Sequence, residues 1–391
     1  MKEKITLTAV GDVGFRIEEN GDTFNGVRDI MAASDIRFGQ LEQLISGETA
    51  GVRHLHFNGF EKSDINDGYG WSPTPEKALK VLKDAHLNVM SFATNHSIDI
   101  GDEAFFETID SCRENGIAIC GAGRDLEDAR KPVIMDVKGT KVGFLAYCSV
   151  APKGYEAAKD HAGCVPLRAS TSFEPYDSQP GMPPQVHSAA NAKDKAAMIR
   201  DIEKLREQVD VVVVCMHWGV HFVPELVAEY QVELSHAAID AGADLIIGNH
   251  PHIMKGMDVY KGKAIFYSLN NFSMRRHEEF TFQAEKASGL WWFTRFGVRM
   301  LADPDCPRYP YDIDAQKTLI VRVEIEDGKI SRVAYTPLWI DKDGIPMPVS
   351  PESPKFEEHL YYVRRLSGSQ GFDVDFVPDG SEVVINTEYP A

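Results

Sequence analysis

Ala243-Asp244-Leu245-Ile246-Ile247-Gly248-Asn249-His250-Pro251-His252 is the stretch from which the fold can be read. Its apolar half reads as a buried strand, and its polar half as the loop leaving that strand. Two imidazoles on alternate residues of an extended segment point to the same side. In open α/β sheets, ligands and metals bind beyond the C-terminal ends of the strands. The histidine pair therefore sits where a site is expected, provided that other segments bring it partners.

Four other apolar runs end in the same manner. Thr6-Leu7-Thr8-Ala9-Val10-Gly11-Asp12 delivers an acid after a glycine, and Ile36-Arg37-Phe38-Gly39-Gln40-Leu41-Glu42 delivers another. Val89-Met90-Ser91-Phe92-Ala93-Thr94-Asn95-His96 ends in an amide and an imidazole. Val211-Val212-Val213-Val214-Cys215-Met216-His217-Trp218-Gly219 ends in a histidine before a glycine turn. Taken singly, Asp12 could cap a turn, Glu42 could be a surface acid, and Asn95 a turn residue. His96 and His217 alone could be satisfied buried histidines. As a set they suit a cation: nitrogen and oxygen donors without thiolate fit Mn, Fe, Zn or Co.

The chain has 391 residues and is 43% apolar, ordinary for one large domain or two smaller ones. A formal charge of −18 argues against nucleic acid and against an anionic membrane surface as partners. No run of about 18 apolar residues predicts a membrane span, and no apolar leader core follows Met1-Lys2-Glu3-Lys4. The six cysteines show no CxxC spacing and read as reduced thiols. Together these features predict a cytoplasmic protein.

Strand and helix patterns alternate through residues 1–150 and again through 193–268, which implies βαβ units. Residues 132–137 and 141–148, joined by Lys138-Gly139-Thr140, read instead as a hairpin. A helix is expected over 224–241. Residues 151–192, punctuated by Pro175, Pro180, Pro183 and Pro184, read as an excursion over the surface. Residues 273–316 are irregular and aromatic, with Trp291-Trp292-Phe293. A single domain is expected over 1–340, with 151–192 and 273–316 as surface insertions. Residues 341–391 form an extension packed on the same domain.

The motifs Ala9-Val10-Gly11-Asp12, Leu41-Glu42, Ala93-Thr94-Asn95-His96-Ser97-Ile98-Asp99-Ile100-Gly101, Gly121-Ala122-Gly123, His217-Trp218-Gly219, Gly248-Asn249-His250-Pro251-His252 and Tyr267-Ser268-Leu269-Asn270-Asn271-Phe272 occur in this order. In kind, order and spacing the chain resembles the CapA-type capsule-synthesis proteins, also called poly-gamma-glutamate synthesis proteins. They are a branch of the calcineurin-like metallophosphoesterase superfamily. The resemblance implies a four-layer α/β/β/α metallophosphoesterase-like sandwich with one or two divalent metal ions along a sheet edge. It implies Asp12, Glu42 and His252 around one metal, and Glu42, Asn95, His217 and His250 around the other. His96 would be the catalytic acid or anion-stabilising imidazole.

The sequence departs from the family pattern at four positions. Gly14 stands where classical metallophosphoesterases carry a histidine ligand, a loss that CapA-type proteins share; Gln40 replaces an asparagine, His221 a glutamate, and Asn270 a glycine. Arg16, His54, His56, His221 and Asn271 are the candidate substrate contacts. His54 and His56 also fit a half-exposed strand, and Arg16 a solvated surface position. The expected substrate is a small or oligomeric anion. The expected activity is metal-dependent hydrolysis of a phosphoester or an amide such as a γ-glutamyl bond. The alternative is a non-catalytic accessory that binds poly-gamma-glutamate during capsule assembly.

Overall fold

Val211–His217 is apolar on both faces because both faces are covered. Val211, Val213 and Cys215 face a second sheet, while Val212, Val214 and Met216 face helices. A computed structural model describes residues 2–14, 23–47, 72–179, 181–275, 301–309 and 311–387. Arg16, His54, His56 and Trp291-Trp292-Phe293 lie outside the described residues.

The first sheet runs Phe376–Asp379, Glu382–Ile385, Lys329–Ile340, Lys317–Glu326, Ile5–Val13, Ile36–Leu41, Val89–Ser91, Ala118–Cys120, with the last four strands parallel. The second runs Met257–Tyr260, Lys263–Phe266, Leu245–Asn249, Val211–His217, Thr140–Cys148, Val133–Val137. Its four inner strands are parallel, and Val133–Val137 forms the expected hairpin with Thr140–Cys148. Leu7, Ala9, Phe38 and Val89 of the first sheet meet Phe144, Val213, Leu245 and Ile247 of the second in one apolar core. Helices Pro75–Asp84 and Asp102–Glu114 cover the outer face of the first sheet, and Ala192–Arg206 and Glu229–Asp240 that of the second. The chain is thus an α/β/β/α sandwich of four layers.

The Ile5–Val13 strand changes neighbour along its length, and this shapes the site. Ile5 to Ala9 pair antiparallel with Lys317–Glu326, whereas Asp12 and Val13 pair parallel with the short strand Asn271–Ser273. At the junction, a Cβ on Gly11 would lie 1.8 Å from the carbonyl oxygen of Asn270, so only glycine allows the two backbones to approach.

Three local expectations differ from the structure. Residues 169–190 form an antiparallel hairpin, Ala169–Glu174 with Gln185–Ala190. Its residues are exposed or only half-buried, so no apolar alternation marked it in the sequence. The helix expected over 224–241 begins at Glu229. Residues before it are held as a loop, because the buried Lys255 ammonium donates to the carbonyls of Val223 and Leu226. The Gln370 side chain donates to the carbonyl of Glu225 and accepts from Val227 N. Such partners divert backbone groups from a helix. The edge strand Met257–Tyr260 was also not marked.

Helix Pro354–Ser369 closes one end of the inter-sheet core with Phe356, Leu360, Val363 and Leu366. Its His359 is fully buried and donates from Nε2 to the Thr318 carbonyl at 2.9 Å. Burial lowers its pKa from 6.5 to about 4. Below pH 6.5 the unfolded chain takes up a proton that the folded chain refuses, so stability is lost as pH falls from 6.5 to about 4. In His359→Gln, urea denaturation with chelator present is expected to show about 3 kcal/mol less acid destabilisation over that window.

Candidate metal centre

The C-terminal ends of the parallel strands of both sheets meet at one edge. Asp12 ends the Ile5–Val13 strand, Glu42 follows Ile36–Leu41, and Asn95 follows Val89–Ser91. His217 ends Val211–His217, and His250 and His252 follow Leu245–Asn249. The oxygen donors therefore come from the first sheet and the imidazoles from the second. All but Asn95, which is half-buried, are buried, with Asp12 and His217 at 0% exposure.

Donor atoms of Glu42, His217 and His250 lie within 4.8 Å of one another, and so do those of Asp12, Glu42 and His252. Glu42 belongs to both groups: its Oε1 is 3.5 Å from His217 Nε2 and 3.5 Å from His252 Nε2. Asn95 Oδ1 joins the first group, 2.7 Å from His217 Nε2 and 3.2 Å from His250 Nδ1. Asp12 Oδ2 accepts from the His250 backbone N–H at 3.1 Å.

The side chains fit a cation. Asp12 Oδ1 accepts no hydrogen bond among the described residues. Burial pushes the Asp12 carboxyl up to about 8, opposed only by the His250 N–H. Burial, with mutual repulsion among neighbouring imidazoles, holds His217, His250 and His252 well below the ordinary histidine range. Neutral imidazoles are the state that ligates metal, and a buried carboxyl gives up its proton when a cation supplies its counter-charge. His250 and His252 hold positive φ angles of 98° and 52°, and Phe222 and Asn270 nearby hold 59° and 71°. Such conformations cost about 1–3 kcal/mol each and concentrate at functional sites.

His96 lies beside this cluster, with its side chain 13% exposed. Its Nδ1 is 2.7 Å from Asp99 Oδ2, and Asp99 Oδ1 accepts from the Tyr155 hydroxyl at 3.1 Å. The pair Asp99 and Tyr155 was not singled out in the sequence. The spacing of three residues between His96 and Asp99 was the available signal; Tyr155 gave none.

His221 lies over the imidazoles, its ring 3.9 Å from that of His250 and nearly parallel to that of His252 at 5.4 Å. Burial, followed by His96 and Lys255, lowers its pKa to about 3. Asn271, grouped with the substrate contacts, is instead fully buried behind His252, with its amide between His252 and Tyr309. A Cβ on Gly14 would lie 2.6 Å from Met274 Sδ, the end of a flexible side chain that would have to shift. Gln40 is buried against the backbone carbonyls of Leu41, Ser91 and Ala93. None of the described helices is long and apolar enough to cross a membrane.

Comparison with known proteins places this chain in a family. The PGA biosynthesis protein CapA of Bacillus subtilis (strain 168) is 32% identical over 200 residues, covering 51% of this chain and 46% of that protein. The capsule biosynthesis protein CapA of Bacillus anthracis is 28% identical over 278 residues, covering 69% of this chain and 60% of that protein. The chain thus spans between 46% and 60% of the length of these two curated relatives. Among solved structures, a hypothetical protein from Thermus thermophilus aligns with a TM-score of 0.43 at 12% identity, over 85% of this chain and 98% of that one. The calcineurin-like phosphoesterase YfkN from Bacillus subtilis aligns with a TM-score of 0.37 at 14% identity, over 95% of this chain and all of that one. The model of the bacterial capsule synthesis protein family PGA_cap matches residues 6–275, well over half of the sequence, and the chain belongs to that family.

Proposed function

We propose that this protein is a metal-dependent hydrolase acting on a phosphoester or amide bond of an anionic substrate. The observation that carries the reading is the sharing of Glu42 by two buried donor groups, one with His217 and His250, the other with Asp12 and His252. Asp12, Glu42 and His252 would hold one divalent cation; Glu42, Asn95, His217 and His250 would hold the other. Divalent cations there supply Lewis-acid polarisation of a phosphoryl or carbonyl oxygen and acidify water.

The chain's own residues supply the rest. Asp99 orients the His96 imidazole through Nδ1, and Nε2 is the atom assigned to move a proton to the leaving group. His221 and Phe222, with rings 5.0 Å apart, form a wall beside the imidazoles and limit water there. The names of the Bacillus relatives, which concern capsule and PGA biosynthesis, bring γ-glutamyl amides into the screen beside phosphoesters.

The test pairs metal analysis of freshly purified protein with a screen of phosphoesters and γ-glutamyl amides. One to two metals per chain, and turnover that chelator abolishes and Mn²⁺ restores, are expected. Turnover indifferent to chelation would remove the proposal. A second reading is favoured by the name of a Mycobacterium tuberculosis relative, a probable polyglutamine synthesis accessory protein. In it, the same edge binds poly-gamma-glutamate without cleaving it. Binding of that polymer by metal-loaded protein, with no product released across the screen, would select the accessory role.

A further inference from the structure

A chain of buried hydrogen bonds leads away from His252. Its Nδ1 is 2.7 Å from Asn271 Oδ1, and Asn271 Nδ2 is 2.7 Å from the Tyr309 hydroxyl. That hydroxyl is 2.9 Å from the Ala315 carbonyl oxygen, which also accepts from Asn270 Nδ2 at 2.7 Å. His252 is 3% exposed, and Asn271, Tyr309 and Ala315 are at 0%.

The far end dictates the direction of every bond. A carbonyl oxygen can only accept, so Tyr309 gives its single proton to Ala315. The Tyr309 oxygen must then accept, which turns the Asn271 NH₂ toward it and the Asn271 oxygen toward His252. An oxygen at 2.7 Å requires a proton on His252 Nδ1. The other oxygen near Nδ1, Asp12 Oδ2, is 3.8 Å away and too distant to compete. The lone pair is thereby left on Nε2, the atom that faces Glu42 Oε1 at 3.5 Å.

We infer that Asn271 and Tyr309 are positioning residues that lock His252 in the Nδ1–H tautomer and present Nε2 as a metal ligand. This rests on the reading of His252 as a ligand. Tyr309 lies outside the residues matched by the family model, 6–275, so this chain draws the end of the relay from a segment beyond that match.

Two measurements test it. In metal-free protein with ¹⁵N-labelled histidine, the His252 ring signals, identified by their loss in His252→Gln, are expected to report a protonated Nδ1. In Tyr309→Phe the amide is free to turn and the Nδ1–H preference is expected to fall. In Mn²⁺ titrations followed by the spectrum of the free ion, Tyr309→Phe and Asn271→Leu are expected to weaken one of two binding steps by about 10–100-fold. Asn271→Asp, which still accepts from Nδ1–H, is expected to restore it. An Nε2–H tautomer in the parent protein, or two unchanged binding steps in Tyr309→Phe of unaltered thermal stability, would overturn the inference. A parent protein that binds no Mn²⁺ would defeat the proposed metal centre instead, and the ring spectra would still decide the relay.

Discussion

Glu42→Gln is expected to weaken metal binding at both donor groups at once and to slow hydrolysis by about a thousandfold. Glu42 is the one side chain common to the two groups, and it is 2% exposed. Glutamine keeps its shape and its packing but removes the negative charge, and its amide offers only one oxygen where a carboxylate offers two. Lewis-acid stabilisation contributes several kcal/mol to such reactions, and about 1.4 kcal/mol corresponds to a factor of ten in rate. Asp12→Asn provides the contrast, because Asp12 belongs to one group only. It is expected to lower metal content by at most one equivalent. Elemental analysis and turnover on the same samples, with circular dichroism to confirm folding, give the answer. Full metal content in Glu42→Gln would refute the shared-donor reading.

His96→Asn is expected to separate proton transfer from metal binding. Positioned acids contribute about 10²–10⁴ in rate. The variant should lose that much in kcat while its metal content stays at the parent level, since His96 belongs to neither donor group. The loss should depend on the leaving group: large for an alkyl ester or an amide that needs a proton, small for a nitrophenyl ester that does not. Asp99→Asn should lose less, about tenfold, because Asp99 orients the imidazole and does not touch substrate. An equal loss for good and poor leaving groups would assign His96 to ground-state binding rather than to acid catalysis.

Much of the candidate site's placement was legible because its residues sit at strand ends. Asp12, Glu42, Asn95, His217, His250 and His252 each follow an apolar run. Parallel pairing carries those run-ends to one edge, so a one-dimensional pattern reports a three-dimensional address. The supporting side chains carry no such mark. Tyr309 is 38 residues from Asn271 and meets it only because Asn271–Ser273 pairs beside Asp12. Lys255 and Gln370 act on the carbonyls of a loop that periodicity alone reads as helix. The hairpin at 169–190 was missed for the opposite reason: with neither face in a core, it leaves no alternation to read.

The division of donors between the sheets has a mechanical consequence. Asp12, Glu42 and Asn95 travel with one sheet, while His217, His250 and His252 travel with the other. A cation held by both would act as a rivet across the seam, since a ligand that binds only the folded arrangement stabilises it by mass action. Sliding of one sheet over the other by a fraction of an ångström would change every oxygen-to-nitrogen separation together. Metal affinity at this edge would therefore gauge inter-sheet shear, and apolar residues deep in the seam, such as Phe38 and Phe144 stacked 5.9 Å apart, would set the zero of that gauge.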